Sequence, residues 1–222
     1  MENNRPATAA RLRGWGPLGV LAFLIVAAGT LVFVPISAAL VLVWAWLSKT
    51  PWREIGLARP KSWIGDAVFG IALGIGLKFL MKAVVMPLLG ADPVNHAYQY
   101  LTGNAAEALK FAVYAVFGAG VCEEIVFRGY LFERLGRLWS RSAAGDLLTL
   151  LVATAAFGMA HWQQGFFAMI NAGIVGLAIG ALYLANGRKL WTLMVAHASF
   201  DLTAAAMIYA NLETRVAHLV FP

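Results

Sequence analysis

The sequence contains a single cysteine and few charged residues. Only 13% of its 222 residues are Asp, Glu, Lys or Arg, whereas soluble domains contain about 25%. Because Cys122 has no second cysteine, an internal disulfide and a cysteine-based metal site are excluded. The chain also lacks GxSxG, which surrounds many nucleophilic serines, and HExxH, which marks many zinc proteases. Neither of these common hydrolase chemistries is therefore indicated.

Long apolar runs take the place of charge. Hydrophobic residues make up 61% of the chain, and most of them lie in runs that approach the roughly 20 residues a helix needs to cross a bilayer. We therefore expect an all-α, polytopic transmembrane helix bundle of roughly six to seven spans, formed by a single membrane domain over residues 1–222. The lipid bilayer is its expected surrounding, and the compact chain with short loops favours a prokaryotic cell membrane.

The basic residues, which give a net charge of +6, fall in short clusters between the apolar runs. Such clusters are typical of cytoplasmic loops in membrane proteins. We interpret Arg134, Arg137 and Arg141 as one cytoplasmic marker of this kind, and we expect no nucleic acid partner. The segment over residues 90–107 has acidic but no basic residues, as expected for a non-cytoplasmic loop.

Two apolar segments in the first half of the chain have unusual features. The run from Gly14 to Ser48 is too long for one upright span. Basic clusters at both of its ends favour a hairpin of two short spans, and a long helix kinked at Pro35 is the alternative. In the next span, Lys78 and Lys82 lie four residues apart, so they share one helical face that is expected to point at protein or water.

The sequence AGVCEEIVFRGYLFERL places two acids and an arginine directly after an apolar run. Charges are costly inside a bilayer and persist mostly where function needs them. Glu124 and Arg128 are four apart with the acid first, which is the favourable order for a helical ion pair. Glu123, rotated about 100° around the helix axis, is left without a built-in partner and is expected to face a cavity.

Three more polar positions lie in the last apolar segments. His197 and Asp201 are four residues apart and share a helical face, and Phe157 and His161 repeat this spacing. Helices of a bundle can bring such groups to a central cavity. Structural salt bridges and packing histidines are the alternative explanation, but so many polar groups in successive spans would be costly without a function.

These residues form three motifs in a known order. EEIVFR at 123–128 resembles the EExxxR motif of the CPBP family of intramembrane proteases, FGMAH at 157–161 resembles its FxxxH motif, and HASFD at 197–201 resembles its HxxxN/D motif. The family includes type II CAAX prenyl endopeptidases and bacteriocin-processing or bacteriocin-immunity relatives. The resemblance implies a CPBP-like catalytic core over residues 105–210, with these candidate site residues: Glu123, Glu124, Arg128, His161, His197 and Asp201.

The resemblance also implies roles. Glu123 would be the base that activates water, His161 would help to orient that water, and His197 with Asp201 would stabilise the oxyanion or bind a metal. Family members have been described both as metalloproteases and as glutamic peptidases. A divalent metal such as zinc, held by His161, His197 and Asp201, therefore stays an alternative, and no other cofactor is expected. Asp201 departs from the Asn of the prenyl endopeptidases, and an ionised Asp cannot donate a hydrogen bond.

The sequence thus predicts an endopeptidase that hydrolyses a peptide bond of a membrane-associated protein or peptide. A non-catalytic membrane protein, either a bacteriocin immunity factor or a proton-coupled carrier, is the alternative. The depths of the two histidines present a difficulty, because His161 lies about 30 Å beyond Arg141 along a helix whereas His197 lies only about 12 Å beyond Lys189. Either a segment lying along the membrane surface or a strongly tilted helix would reconcile these depths.

Overall fold

The computed structural model describes residues 5–221, and this part of the chain is helical with no strand. Short 3-10 turns connect some of the helices, and the segment Trp52–Ile55 is one of them. The helices, in chain order, are α1 (Arg5–Arg13), α2 (Pro17–Val32), α3 (Val34–Leu47), α4 (Trp63–Leu88), α5 (Ala105–Leu138), α6 (Ala143–Met159), α7 (Phe166–Ala185), α8 (Leu190–Tyr209) and α9 (Glu213–Ala217).

Four helices of the described chain are long and apolar enough to cross a membrane, namely α4, α5, α7 and α8. A fifth span results if Ala7–Arg13 and Pro17–Val32, which meet at 54°, are counted as one. Helices α3 and α6 are apolar but have only 14 and 17 residues. The all-helical membrane fold is confirmed, whereas the expected six to seven spans are not, because several apolar runs form helices shorter than a bilayer requires.

The N-terminal apolar run forms a hairpin of α2 and α3. The chain turns at Phe33, which has extended backbone angles between the two helices. Close to the turn, the hydroxyl of Ser37 donates to the carbonyl oxygen of Val26 at 2.5 Å. Farther along, the indole N–H of Trp44 donates to the carbonyl oxygen of Leu12 at 3.1 Å. These contacts pair residues on opposite sides of Phe33, as in a hairpin, and not in one long kinked helix.

Helices α4 and α8 pack with their backbones in contact. A Cβ atom added at Gly74 would lie 2.2 Å from the carbonyl oxygen of Ala196, and one at Gly70 would lie 2.8 Å from that of Thr192. Only glycine fits at such a distance, so the two glycines spaced four apart allow this close approach. The packing fixes α4 directly against the helix that carries His197.

The middle of α5, over Ala115–Leu131, is a π-helix. Helices of this wider kind are rare and often occur at functional sites. At this level, a Cβ atom added at Gly120 would lie 2.8 Å from the Cβ atom of Ala198 on α8. The wide segment of α5, which carries EEIVFR, is therefore packed tightly against α8.

Helix α8 begins well short of the end of α5. The backbone N–H of Leu190 donates to the carbonyl oxygen of Gly56 at 3.0 Å. A Cβ atom added at Gly129 would lie 2.8 Å from the carbonyl oxygen of Ile55 and 3.5 Å from Leu190. Leu190 is thus level with Gly129, and α5 continues roughly 14 Å farther to Leu138.

Arg134 has a structural role that the sequence interpretation missed. Its side chain is 0% exposed, and it donates to the carbonyl oxygens of Arg13 at 2.5 Å and Gly14 at 2.8 Å. The guanidinium group lies 4.4 Å from the ring centre of Trp15. Its interpretation as a cytoplasmic marker alone is therefore wrong, because Arg134 also attaches the N-terminal helices to α5.

Candidate active site

One cavity of about 420 Å³ brings together several of the polar side chains singled out in the sequence. It lies between α4, α5, α7 and α8, beside the segment that joins α4 to α5. Four of the sequence-predicted site residues line it: Glu123, His161, His197 and Asp201. The other two, Glu124 and Arg128, lie behind the cavity wall.

Glu124 and Arg128 form a buried ion pair, with 2.8 Å between Oε1 and Nη1. Their side chains are 0% and 2% exposed, respectively. Arg128 also donates from Nη2 to the carbonyl oxygen of Gly176 at 3.3 Å, and its guanidinium group lies 4.3 Å from the ring centre of Phe157. The pair predicted from the spacing is therefore present, and it joins α5 to α6 and α7.

The same oxygen of Glu124 holds His197, with 2.7 Å between Oε1 and the ring atom Nδ1. An ionised carboxylate only accepts hydrogen bonds, so Nδ1 carries the proton in this contact. The other ring nitrogen, Nε2, then points away from the ion pair. It lies 3.8 Å from Oε2 of Glu123 and 3.7 Å from Oδ2 of Asp201.

Glu123 is buried, yet its side chain makes no hydrogen bond with the described residues. Its Oε2 atom is inaccessible to bulk solvent and lacks a partner there, although the side chain lines the cavity. Buried polar atoms without partners are rare and costly in folded proteins. This carboxylate is therefore arranged to interact with something inside the cavity.

His161 follows the C-terminal end of α6. Its Nδ1 atom lies 2.8 Å from the carbonyl oxygen of Phe157, and this contact requires the proton on Nδ1, which leaves Nε2 as an acceptor in the neutral ring. The ring of Phe157 packs edge-on against His161 at 4.9 Å and against His197 at 5.8 Å between ring centres. Phe157 thus separates and orients the two imidazoles.

The described residues do not form a suitable set of ligands for a metal ion. Among residues 5–221, no group of three or more His, Cys, Asp or Glu side chains is arranged to hold a metal ion. His161, His197 and Asp201 line the same cavity without forming such a group. The metalloprotease class is therefore not confirmed.

Two features of the site were missed by sequence reasoning. The contact between Glu124 and His197 joins residues 73 positions apart, and no local spacing indicates it. Lys78 lines the cavity, and although its face was expected to point at protein or water, the sequence did not connect it with the candidate site residues.

Comparison with known proteins agrees with the three motifs. Residues 105–203 match the family model described as Type II CAAX prenyl endopeptidase Rce1-like. No curated protein and no solved structure matches the chain. The matched segment includes EEIVFR, FGMAH and HASFD, and the four long apolar helices indicate an integral membrane protein. The match confirms the resemblance: over residues 105–203 the chain is similar to the Rce1-like type II CAAX prenyl endopeptidases.

Proposed function

We propose that this protein is an intramembrane endopeptidase that hydrolyses a peptide bond of a membrane-associated protein or peptide. The observation that carries the proposal is the Oε2 atom of Glu123, which has no hydrogen-bond partner among residues 5–221. It belongs to the wall of a cavity large enough for water and a peptide segment. A carboxylate in such a position is a suitable general base.

In the proposed reaction, Glu123 removes a proton from a water molecule while the water oxygen attacks the peptide carbonyl carbon. When the carbon–nitrogen bond breaks, the same carboxyl group gives this proton to the leaving amine. His161 accepts the second hydrogen of the water at Nε2, since its Nδ1 atom is already engaged with Phe157. The water is thus held between two acceptors before it attacks.

His197 is proposed to stabilise the negative oxygen of the tetrahedral intermediate through Nε2. Because Nδ1 already donates to Glu124, donation from Nε2 requires a proton on both ring nitrogens. The carboxylates of Glu123, Glu124 and Asp201 are arranged around the ring and stabilise this positive charge. Glu124 and Arg128 hold the imidazole in place and do not themselves contact the substrate.

The direct test is cleavage of a fluorogenic peptide library by the purified protein in detergent. We expect hydrolysis of a subset of apolar peptides by the unmodified chain and none by a Glu123→Gln variant purified in the same way. A carrier or an immunity factor would leave every peptide intact. Absence of cleavage by properly folded protein would contradict the proposal.

The variant Asp201→Asn is expected to keep much of its activity, within about 10-fold of the unmodified protein. The neutral amide still fills the position 3.7 Å from Nε2 of His197 and, unlike a carboxylate, it can also donate a hydrogen bond to an oxyanion. If the residue instead binds a metal, loss of the anionic ligand should lower activity by about 10–100-fold. Assays of both proteins with and without a strong chelator distinguish these cases. An unmodified enzyme silenced by the chelator and restored by zinc, together with an inactive Asn variant, would contradict our expectation.

A further inference from the structure

Two lysines of α4 face the cavity, and their environments differ. Lys82 is neutralised, because its Nζ atom lies 2.8 Å from Oε1 of Glu213 and 2.5 Å from the carbonyl oxygen of Pro93. Lys78, one turn earlier, makes no hydrogen bond and no ion pair with any residue among 5–221. Its Nζ atom instead lies 4.9 Å from the ring centre of Phe200. Within the described chain, Lys78 is thus a cavity cation without a bound anion.

The structure holds Lys78 close to the proposed catalytic groups. Phe200, which its ammonium group contacts, lies on α8 between His197 and Asp201. The contact of Gly74 with the backbone of Ala196 fixes α4 against α8 one turn before Lys78. The ammonium group therefore has a defined position near these groups. A few residues of an extended peptide would span the distance from it to the carbonyl that would be attacked.

We propose that Lys78 binds a carboxylate of the substrate inside the cavity and thereby sets which peptides are cleaved. This inference rests on the proposed function, and it concerns a residue outside the segment 105–203 that matches the family model. Lys78 is half-buried in the cavity wall, and a cation that lines a cavity without a hydrogen-bonded partner favours an anion there. A peptide supplies one either at its C-terminus or on an Asp or Glu side chain. Both sources present the same chemistry to Lys78.

An internal role is the competing explanation, in which Lys78 only balances the negative charges of Asp201 and Glu213, which interact with it electrostatically. The two explanations differ in how binding depends on the peptide. If Lys78 contacts a substrate carboxylate, removal of either partner has the same effect, and removal of both adds nothing. If Lys78 is only a counter-ion, its loss affects acidic and neutral peptides alike.

The experiment measures binding of fluorescein-labelled Gly-Ala-Leu-Val-Ala-Leu-Leu to the Glu123→Gln protein in detergent by fluorescence anisotropy. The peptide is made with a free C-terminal carboxylate, as the C-terminal amide, and as an amide with Glu at the penultimate position. We expect the free acid to bind at least about 30-fold more tightly than the plain amide, as for other close charge pairs at interfaces. Equal binding of these two peptides, or binding of neither, would overturn the proposal. Recovery of tight binding by the Glu-containing amide would identify a side-chain carboxylate as a second accepted source.

Variants in the same Glu123→Gln background complete the test. Lys78→Gln should bind the free acid as weakly as the amide, whereas Lys78→Arg should keep the preference. Lys110→Gln, which removes an exposed lysine paired with Glu107, is the matched control and should behave like the parent. An undiminished preference in Lys78→Gln, or an equal loss for acid and amide, would refute carboxylate binding. Because binding is measured without cleavage, carboxylate-dependent binding together with no cleavage of any library peptide by the unmodified protein would refute the proposed function alone.

Discussion

Replacing Glu123 with glutamine is expected to lower the rate of peptide cleavage by about 100- to 10,000-fold, the usual contribution of a general base. Glutamine has nearly the same shape but cannot accept the proton of the attacking water. The melting temperature should change little, because the Glu123 side chain makes no hydrogen bond with the described residues, and its ionic contact with Nε2 of His197 is long, at 3.8 Å. Activity and thermal unfolding are measured on the same detergent preparation.

The matched control for this variant is Glu107→Gln, which makes the same substitution at an exposed position in the first turn of α5. Glu107 is paired with Lys110 at the surface and does not itself line the cavity, so full activity is expected. If Glu123→Gln retained more than about a tenth of the activity of the unmodified protein, Glu123 would not be the base.

Replacing Glu124 with alanine is expected to destabilise the fold by about 3–5 kcal/mol, the usual cost of removing one member of a buried ion pair. Arg128 is 2% exposed, so it would keep its charge without the carboxylate that neutralises it. His197 would lose the acceptor of its Nδ1 proton at the same time. The adjacent change Glu123→Ala removes no such partner and should leave the free energy of unfolding much closer to that of the unmodified protein.

Thermal unfolding of the two alanine variants in detergent measures this difference. A double variant, Glu124→Ala with Arg128→Met, separates the stranded charge from the lost packing, because removal of both charges should restore part of the stability. Identical melting temperatures for Glu123→Ala and Glu124→Ala would contradict the expectation that Glu124, and not Glu123, stabilises the fold.

Contacts within one helix were predictable from the sequence. The spacing of Glu124 and Arg128 predicted their ion pair, and the spacing of His197 and Asp201 predicted that their side chains would be neighbours. Residues four apart stay adjacent in a regular helix whatever surrounds it. Even within the π-helix, the ion pair of α5 forms with a distance of 2.8 Å.

Contacts between helices were not predictable in this way. The bond from His197 to Glu124 and the insertion of Arg134 among the carbonyl groups near Arg13 both depend on how helices distant in sequence are placed. The span count failed for a related reason. The hairpin between Gly14 and Ser48 was expected, but hydropathy measures only the apolar length of a segment and does not show that the helices α3 and α6 have only 14 and 17 residues.

The hairpin of α2 and α3 has a consequence for the surrounding lipid. Its helices have 16 and 14 residues, or about 24 and 21 Å, which is shorter than the roughly 30 Å of a bilayer's hydrocarbon layer. The turn exposes Leu31, Val32 and Phe33, and these side chains favour acyl chains over water. A position of the tip among acyl chains is therefore more favourable than one in water. This mismatch in length favours local thinning of the bilayer beside the hairpin and residence of the protein in thinner membranes.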